Sequence, residues 1–251
     1  MKSGAELINP YDDKRDKTDQ VEQMFDSIAP AYDFMNTAMS FGLHRKWRKK
    51  ALSAAGKILE NEPIDILDIA TGTGDVAFDL HTRYPGAGII GLDLSEKMLD
   101  VAREKLKKID KSAANQINFE KGDSLALRFK DKSFDLITVA YGVRNFENLA
   151  KGLSEMTRVL KSSGVLCIIE LSEPINPLLL GMYKIYSRHL IPAIGRIVSG
   201  DSRAYSYLPE SIAAAPQREK MTSLMEAAGL TQCQWKSLTF GAVTYYLGIR
   251  N

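Results

Sequence analysis

From Ile64 onward the chain repeats one unit: a short apolar run, a turn, then a stretch whose apolar residues recur at helical spacing. The runs are IDILDIA, GAGIIGLDL, QINFEKGD, SFDLITVAY and GVLCIIEL. Helices are expected from Asp75 to about Tyr84, from Ser95 to about Ile109 and from about Asn148 to Leu160. Short apolar strands alternating with helices pack as a parallel sheet covered on both faces, an α/β fold. Ligands of such sheets lie beyond the carboxyl ends of the strands, so the tips ATGTGD, LDLSEK and KGDSLAL should face one cleft.

Other patterns flank this unit. Residues 1–18 are polar and read as loose, and Met24, Phe25, Ile28, Met35, Met39, Leu43, Trp47 and Leu52 then fall at roughly helical spacing, broken by Pro30 and Gly42. Two or three helices are expected ahead of the first strand. Beyond GVLCIIEL come an apolar insert over 174–200, a polar loop DSRAYSYLPES, a helix near Gln217 to Ala228, and the β-rich runs LTQCQWKSL and AVTYYLGIR. Their close spacing around Thr239 to Gly241 predicts an antiparallel hairpin. The 251 residues thus divide into a helical segment at 1–60, an α/β core at 61–173, an insert at 174–215, and a helix with hairpin at 216–251 that completes the sheet.

Lys and Arg total 33 against 31 Asp and Glu, and a net charge of +2 gives no global pull toward nucleic acid. Cys167 and Cys233 are too few and too scattered for a disulfide framework or a zinc site, and read as core residues of a reducing cytosol. The N-terminus lacks the apolar stretch of a secretory signal, and no window holds eighteen uninterrupted apolar residues, so a cytoplasmic protein is expected.

Gly72, Gly74 and Ala77 form G-x-G-x-x-A behind the first strand, a turn that suits a nicotinamide dinucleotide or S-adenosylmethionine. Asp93, about twenty residues on, is placed to bind two ribose hydroxyls of either. The acids decide between them. Asp68 on the first strand suits a ligand carrying an ammonium group and would repel a pyrophosphate. Asp75, opening the next helix, competes with phosphate for the helix N-terminus, and Asp123 is placed to accept an adenine amine. Taken singly, Asp68 also reads as a satisfied strand-end acid and Asp75 as a helix cap. Together they favour the sulfonium cofactor, with Thr71 and Ser124 on the same tips completing the binding set.

YDFMNTAMSFGLHRKW, Tyr32 to Trp47, with ATGTGD, GVRNF and RVLK followed by IIELSEP, resembles the ubiquinone/menaquinone biosynthesis C-methyltransferase family from about Met24 to the C-terminus. Tyr32, Asp33, Met35, Asn36, Ser40, His44 and Trp47 all match at the family spacing. The resemblance implies a class I S-adenosylmethionine-dependent methyltransferase fold, Rossmann-like, acting on a polyprenyl hydroquinone. Demethylmenaquinol is the favoured substrate, and a ubiquinone-precursor benzoquinol is the alternative. A methyltransferase for another lipid or small molecule, a non-catalytic cofactor-binding scaffold and a nicotinamide oxidoreductase stay open. The chain departs from the family at Ser162-Ser163-Gly164, where a Pro-Gly-Gly turn is usual, and at Ala140, where some members carry serine.

Methylating a hydroquinone carbon needs an ionised or ionising hydroxyl beside it, and a phenol of pKa about 10 supplies little anion at neutral pH. Arg144 and Asn145, at the end of the fourth strand, are the candidate catalytic pair: the guanidinium lowers the hydroxyl pKa or that of a bound water, and the amide holds the oxygen or the water. Tyr32 is the third candidate, closing the site from above. The structural alternatives are a salt bridge from Arg144 to Glu147 and a helix cap at Asn145. Of the three histidines, His81 reads as solvated, His189 as a helix cap, and His44 as a supporting group rather than the base. No metal is needed by this chemistry.

The insert reads as a lid in which Leu178, Leu179, Met182, Tyr183 and Tyr186 form a groove for an isoprenoid tail, or equally as a subunit contact of a homo-oligomer. Arg45, Lys46, Arg48, Lys49 and Lys50 either bring the cleft to anionic lipid as a peripheral contact or form a solvated helix face.

Overall fold

In the computed structural model, which describes residues 4–187 and 202–251 except 12, 60, 63, 64, 110–112 and 114, the five apolar runs become strands. They are β1 (Asp65–Ile69), β2 (Gly88–Asp93), β3 (Ile117–Lys121), β4 (Phe134–Ala140) and β5 (Leu160–Leu171). Each pairs in parallel in the order β3-β2-β1-β4-β5, and β7 (Val243–Arg250) and β6 (Leu230–Leu238) extend the sheet antiparallel beyond β5. The expected hairpin is β6-β7. Strand order reverses between β1 and β4, which places the crevice beyond Ile69 and Ala140. Ile66, Leu67, Ile69, Leu136, Ile137 and Val139 are all buried, so both faces of the central strands are covered and their sequences run apolar without alternation.

Among the described residues, helices stand in the stretches expected ahead of and between the strands, α1 (Lys17–Ile28), α2 (Tyr32–Ser40), α3 (Leu43–Ala55), α4 (Asp75–Arg83), α5 (Glu96–Leu106) and α6 (Leu149–Val159), and the insert adds α7 (Pro177–Ile185). Three of them start where a side chain satisfies the first free amides: Ser95 accepts from Met98 N, Asn148 from Lys151 N, and Asn176 from Leu178 N and Leu179 N. α3 lays Trp47, Ala51, Leu52 and Ala55 on one sheet face, while α1 and α2 pack Met24, Ile28 and Met35 against Met98 of α5 and Tyr207. α9 (Glu219–Ala227) backs the hairpin. Among the described residues no helix is long and apolar enough to cross a membrane.

Two expectations are corrected. The stretch read as a polar loop is mostly α8, Ser202–Ala214, with Pro209 inside it. Serines and a proline suggested a loop, but Tyr207, Ser211 and Ile212 recur at helical spacing and are buried. The N-terminal stretch is packed rather than loose over much of its length: Ala5 and Lys17 are buried, and Glu6 accepts a hydrogen bond from Leu149 N at the start of α6. The departure at Ser162-Ser163-Gly164 lies within β5, where Ser163 takes φ 62 and the pairing with β4 shifts register between Phe134 and Leu136. That is the strand end away from the crevice. Cys167 is fully buried and Cys233 partly so.

Candidate active site

The glycine turn leaves β1 through two left-handed residues beyond it, Ala70 (φ 52) and Gly72 (φ 57), and enters α4 through Gly74 (φ 82). At Gly74 an added Cβ would sit 2.7 Å from the Phe119 ring, so this glycine lets helix and sheet close together. Gly72 has open space instead, and its nearest neighbour in that direction is the Tyr32 ring at 3.9 Å. Asp93 at the tip of β2 accepts from Gly72 N at 2.8 Å and from Ser95 N at 2.9 Å, which ties the turn to the neighbouring strand. Burial pushes its carboxyl up to about 6 despite those donors.

A cavity opens at these tips, lined by Gly72, Asp93, Asp123 and Ser124 from the sheet, Tyr141 and Asn145 from the end of β4, and Val21, Phe25 and Tyr32 from the helices above. α1 is fastened over it by Ser95 Oγ donating to Asp26 at 2.6 Å and by Lys121 to Glu22 at 2.6 Å. Ala140 lines it too, offering only backbone. The other proposed cofactor residues lie behind the turn. Asp68 is fully buried, its oxygens each accepting at 2.6 Å from Thr71 Oγ1 and Thr138 Oγ1, and burial raises it to about 7. Asp75 points elsewhere, paired with Lys105 at 2.5 Å and Arg48 at 3.0 Å. The expected ring of acids at the cleft is therefore corrected: Asp93 and Asp123 line it, whereas Asp75 is neutralised outside and Asp68 braces the turn from beneath.

Beside it lies a second, larger cavity of about 420 Å³, lined mostly by apolar and aromatic side chains, among them Met24, Ile28, Met39, Trp47, Met182 and Tyr183. Tyr32 and Tyr141 line both cavities. They mark where the two spaces meet. Burial raises the Tyr32 phenol above its ordinary value, so it stays protonated as a donor. The Tyr141 hydroxyl is buried with no hydrogen-bond partner among the described residues, and its backbone is left-handed at φ 59, a conformation that costs a non-glycine residue roughly 1–2 kcal/mol. It is held there by its N–H on Ile169 O at 2.7 Å and by the Arg144 guanidinium on its own carbonyl.

Arg144 lines the apolar cavity and is buried, as is its partner: Nη1 donates to Glu170 Oε1 at 2.7 Å, and the backbone N–H to Glu170 Oε2 at 3.3 Å. Burial opposes its charge, but Glu170 outweighs that and holds the guanidinium firmly protonated. Glu147, named as partner in the alternative salt-bridge reading, accepts from Thr18 at 3.0 Å. Among the described residues Nε of Arg144 is buried without a partner. Asn145 is no helix cap, a role that Asn148 fills; its Oδ1 accepts from Tyr207 OH at 3.1 Å. Sequence reading passed over Tyr141, Glu170 and Tyr207. Only Tyr141 gave a signal, as the residue between Ala140 and the Gly142-Val143-Arg144 turn.

The N-terminal motif is latched to the cofactor side by Asp33, which accepts from Thr73 Oγ1 at 2.6 Å and from Lys105 at 3.0 Å. In the insert, Met182, Tyr183 and Tyr186 line the apolar cavity, while Leu178 is exposed and outside it; His189 and residues 188–201 fall outside the described residues. Arg48 leaves the basic face, buried between Asp79 at 2.7 Å and Asp75. Arg45, Lys46, Lys49 and Lys50 are exposed.

Among solved structures, a SAM-dependent methyltransferase from Thermotoga maritima superposes with a TM-score of 0.60 at 20% identity, over 92% of this chain and 99% of that one. The fold is that of the class I S-adenosylmethionine-dependent methyltransferases, and S-adenosylmethionine is the cofactor. More narrowly, the chain belongs to the ubiE/COQ5 methyltransferase family, whose profile matches residues 13–250. A Bacteroides fragilis protein named demethylmenaquinone methyltransferase is 46% identical over 246 residues, 98% of both chains. One of the same name from Deinococcus radiodurans is 42% identical over 246 residues, 97% of this chain and 98% of its own.

Proposed function

We propose that this enzyme transfers a methyl group to a ring carbon of demethylmenaquinol, using the cavity at the strand tips for the cofactor and the larger apolar cavity for the quinol. The observation that carries the reading is their junction: a cofactor cleft and an apolar chamber of about 420 Å³ share Tyr32 and Tyr141 as common walls. The names of the similar proteins support the choice of substrate. The strand tips fit the cofactor, since Gly72 leaves open backbone and Asp93, Asp123 and Ser124 offer acceptors around it. When bound, S-adenosylmethionine supplies an electrophilic methyl on a positive sulfur.

The chain's own residues have two tasks, to favour the quinol anion and to hold it in line. Arg144, fixed by Glu170, brings its guanidinium to the wall of the apolar cavity. Asn145, on the cofactor side, and Tyr32 offer polar groups where the cavities meet. Incubating the protein with S-adenosylmethionine and a mixture of reduced demethylmenaquinol and the benzoquinol, read by mass spectrometry, tests the reading. Preferential addition of one methyl to the naphthoquinol is expected. No methylation of either quinol, with tight NADH binding by calorimetry, would overturn it.

A peripheral lipid contact belongs to the same proposal. Phe41 and Met182 line the apolar cavity yet are 80% and 62% exposed, so they form its mouth, and the exposed cations Arg45 and Lys46 follow Phe41 closely in sequence. Co-sedimentation with anionic vesicles should fall when Arg45 and Lys46 are both changed to glutamate. Equal binding by that variant would remove the contact.

A further inference from the structure

His44 is buried on α3 and lines the apolar cavity, so it is not part of a solvated helix face. Its tautomer follows from counting hydrogens. Ser40 Oγ carries one hydrogen and donates it to Asn36 O at 2.6 Å. With that hydrogen on Asn36 O, the 2.6 Å contact between Ser40 Oγ and His44 Nδ1 is donated by Nδ1–H. That leaves Nε2 of the neutral ring as a bare acceptor. Nε2 has no hydrogen-bond partner among the described residues, nor is it among the polar atoms sealed from accessible space, so its lone pair is open to the cavity the ring lines.

We propose that His44 is a catalytic base whose Nε2 takes the hydroxyl proton of the quinol, an inference that rests on the quinol reading above. The O–H bond breaks toward Nε2, and the oxygen's electron pair is delivered through the ring to the neighbouring carbon. That carbon gains the methyl from the sulfonium as the carbon–sulfur bond breaks, which leaves a neutral thioether and a dienone. The carbon then loses its hydrogen to water, the ring regains aromaticity, and the oxygen recovers a proton from the imidazolium. One proton is released for each methyl transferred, and His44 ends neutral.

The groups around the ring suit that task. Arg45 and Arg48 lie on its own helix, Asp33 on α2 and Asp75 on α4, while Tyr141, Arg144, Tyr183 and Tyr186 share the cavity. Burial first, then Arg48, lowers the histidine below its ordinary value, so it stands ready as a neutral base at neutral pH. The acid limb of kcat therefore belongs below the usual histidine range.

The test compares kcat against pH at saturating cofactor and quinol for wild type, His44→Gln and Ser40→Ala. His44→Gln should lose about 100-fold or more, with S-adenosylmethionine affinity unchanged, and the loss should shrink toward high pH, where the quinol ionises unaided. Its acid limb should disappear. Ser40→Ala keeps the imidazole but frees the tautomer, and should lose about tenfold. Wild-type turnover in His44→Gln, a deficit flat with pH in a protein folded by circular dichroism, or an unchanged acid limb would overturn the proposal. If the glutamine variant does not fold, ¹⁵N NMR of the wild type decides: the Nδ1–H form, with an Nε2 resonance that moves on adding the product quinol, is expected, and an Nε2–H form overturns it. A wild type that methylates no quinol would instead defeat the substrate reading.

Discussion

The two cavities differ in what builds them. The cavity at the strand tips is made chiefly of those tips and backbone, with Gly72 N donating to Asp93 and Thr71 donating to Asp68. The apolar side is made of side chains from distant segments: α1 to α3, the end of β4, α7, α8 and the hairpin turn. The first is fixed chiefly by hydrogen bonds. The second is fixed by packing, and in its wall Tyr141 OH and Arg144 Nε are buried without partners among the described residues. Buried polar groups without partners cost stability, so these two are a local penalty in the packed wall.

The largest expected effect tests whether the apolar side carries the electrostatics. Arg144→Gln should cut turnover by about 100-fold or more with cofactor affinity near wild type. It also strands Glu170 in a buried site, a loss of about 3–5 kcal/mol of stability. Arg144→Gln with Glu170→Gln should restore stability but not turnover, and recovery of both would reduce Arg144 to a structural ion pair. On the other side, Asp93→Ala should weaken S-adenosylmethionine by about 2 kcal/mol, roughly 30-fold, while leaving the quinol KM unchanged. Equal losses for both ligands would break the division between the cavities.

How much of each side was legible follows from the same difference. The sheet, the cleft at its strand tips and the turn Gly72 to Gly74 were readable because strands and tight turns write short, periodic signals. Asp68 and Asp75 misled as cleft acids because spacing shows which strand tip holds a carboxylate, not what that carboxylate bonds to. Tyr207 was hidden in a stretch whose Pro209 and serines resembled a loop, and Glu170 gave no sign of pairing with Arg144 across 26 residues. Only packing brings such residues together. The N-terminal motif was the exception, since the family resemblance marked Tyr32 and His44 where periodicity alone would have assigned them to helix faces.

A smaller effect concerns the unsatisfied phenol. Tyr141→Phe should stabilise the cofactor-free protein by about 1 kcal/mol in urea denaturation, because a buried hydroxyl without a partner is removed. Destabilisation of that size would mean that the hydroxyl has a partner in solution.

A further effect is a slope with pH. Asp68 and Asp93 bind protons more tightly in the fold, at about 7 and about 6, than at their ordinary 3.8. Their contribution to stability is thus fully present below pH 3.8 and is lost as pH rises toward 7. Asp68→Asn should flatten that decline in the cofactor-free protein, and a slope unchanged by the substitution would place the titration elsewhere.

The most direct measurement follows the methyl itself. Reduced demethylmenaquinol incubated with S-adenosylmethionine labelled with ¹³C in its methyl group should yield a quinol whose label, located by NMR, sits on the ring carbon beside a hydroxyl. Label on a quinol oxygen, or none in the quinol, would contradict a site in which the two cavities meet to join cofactor methyl and ring carbon.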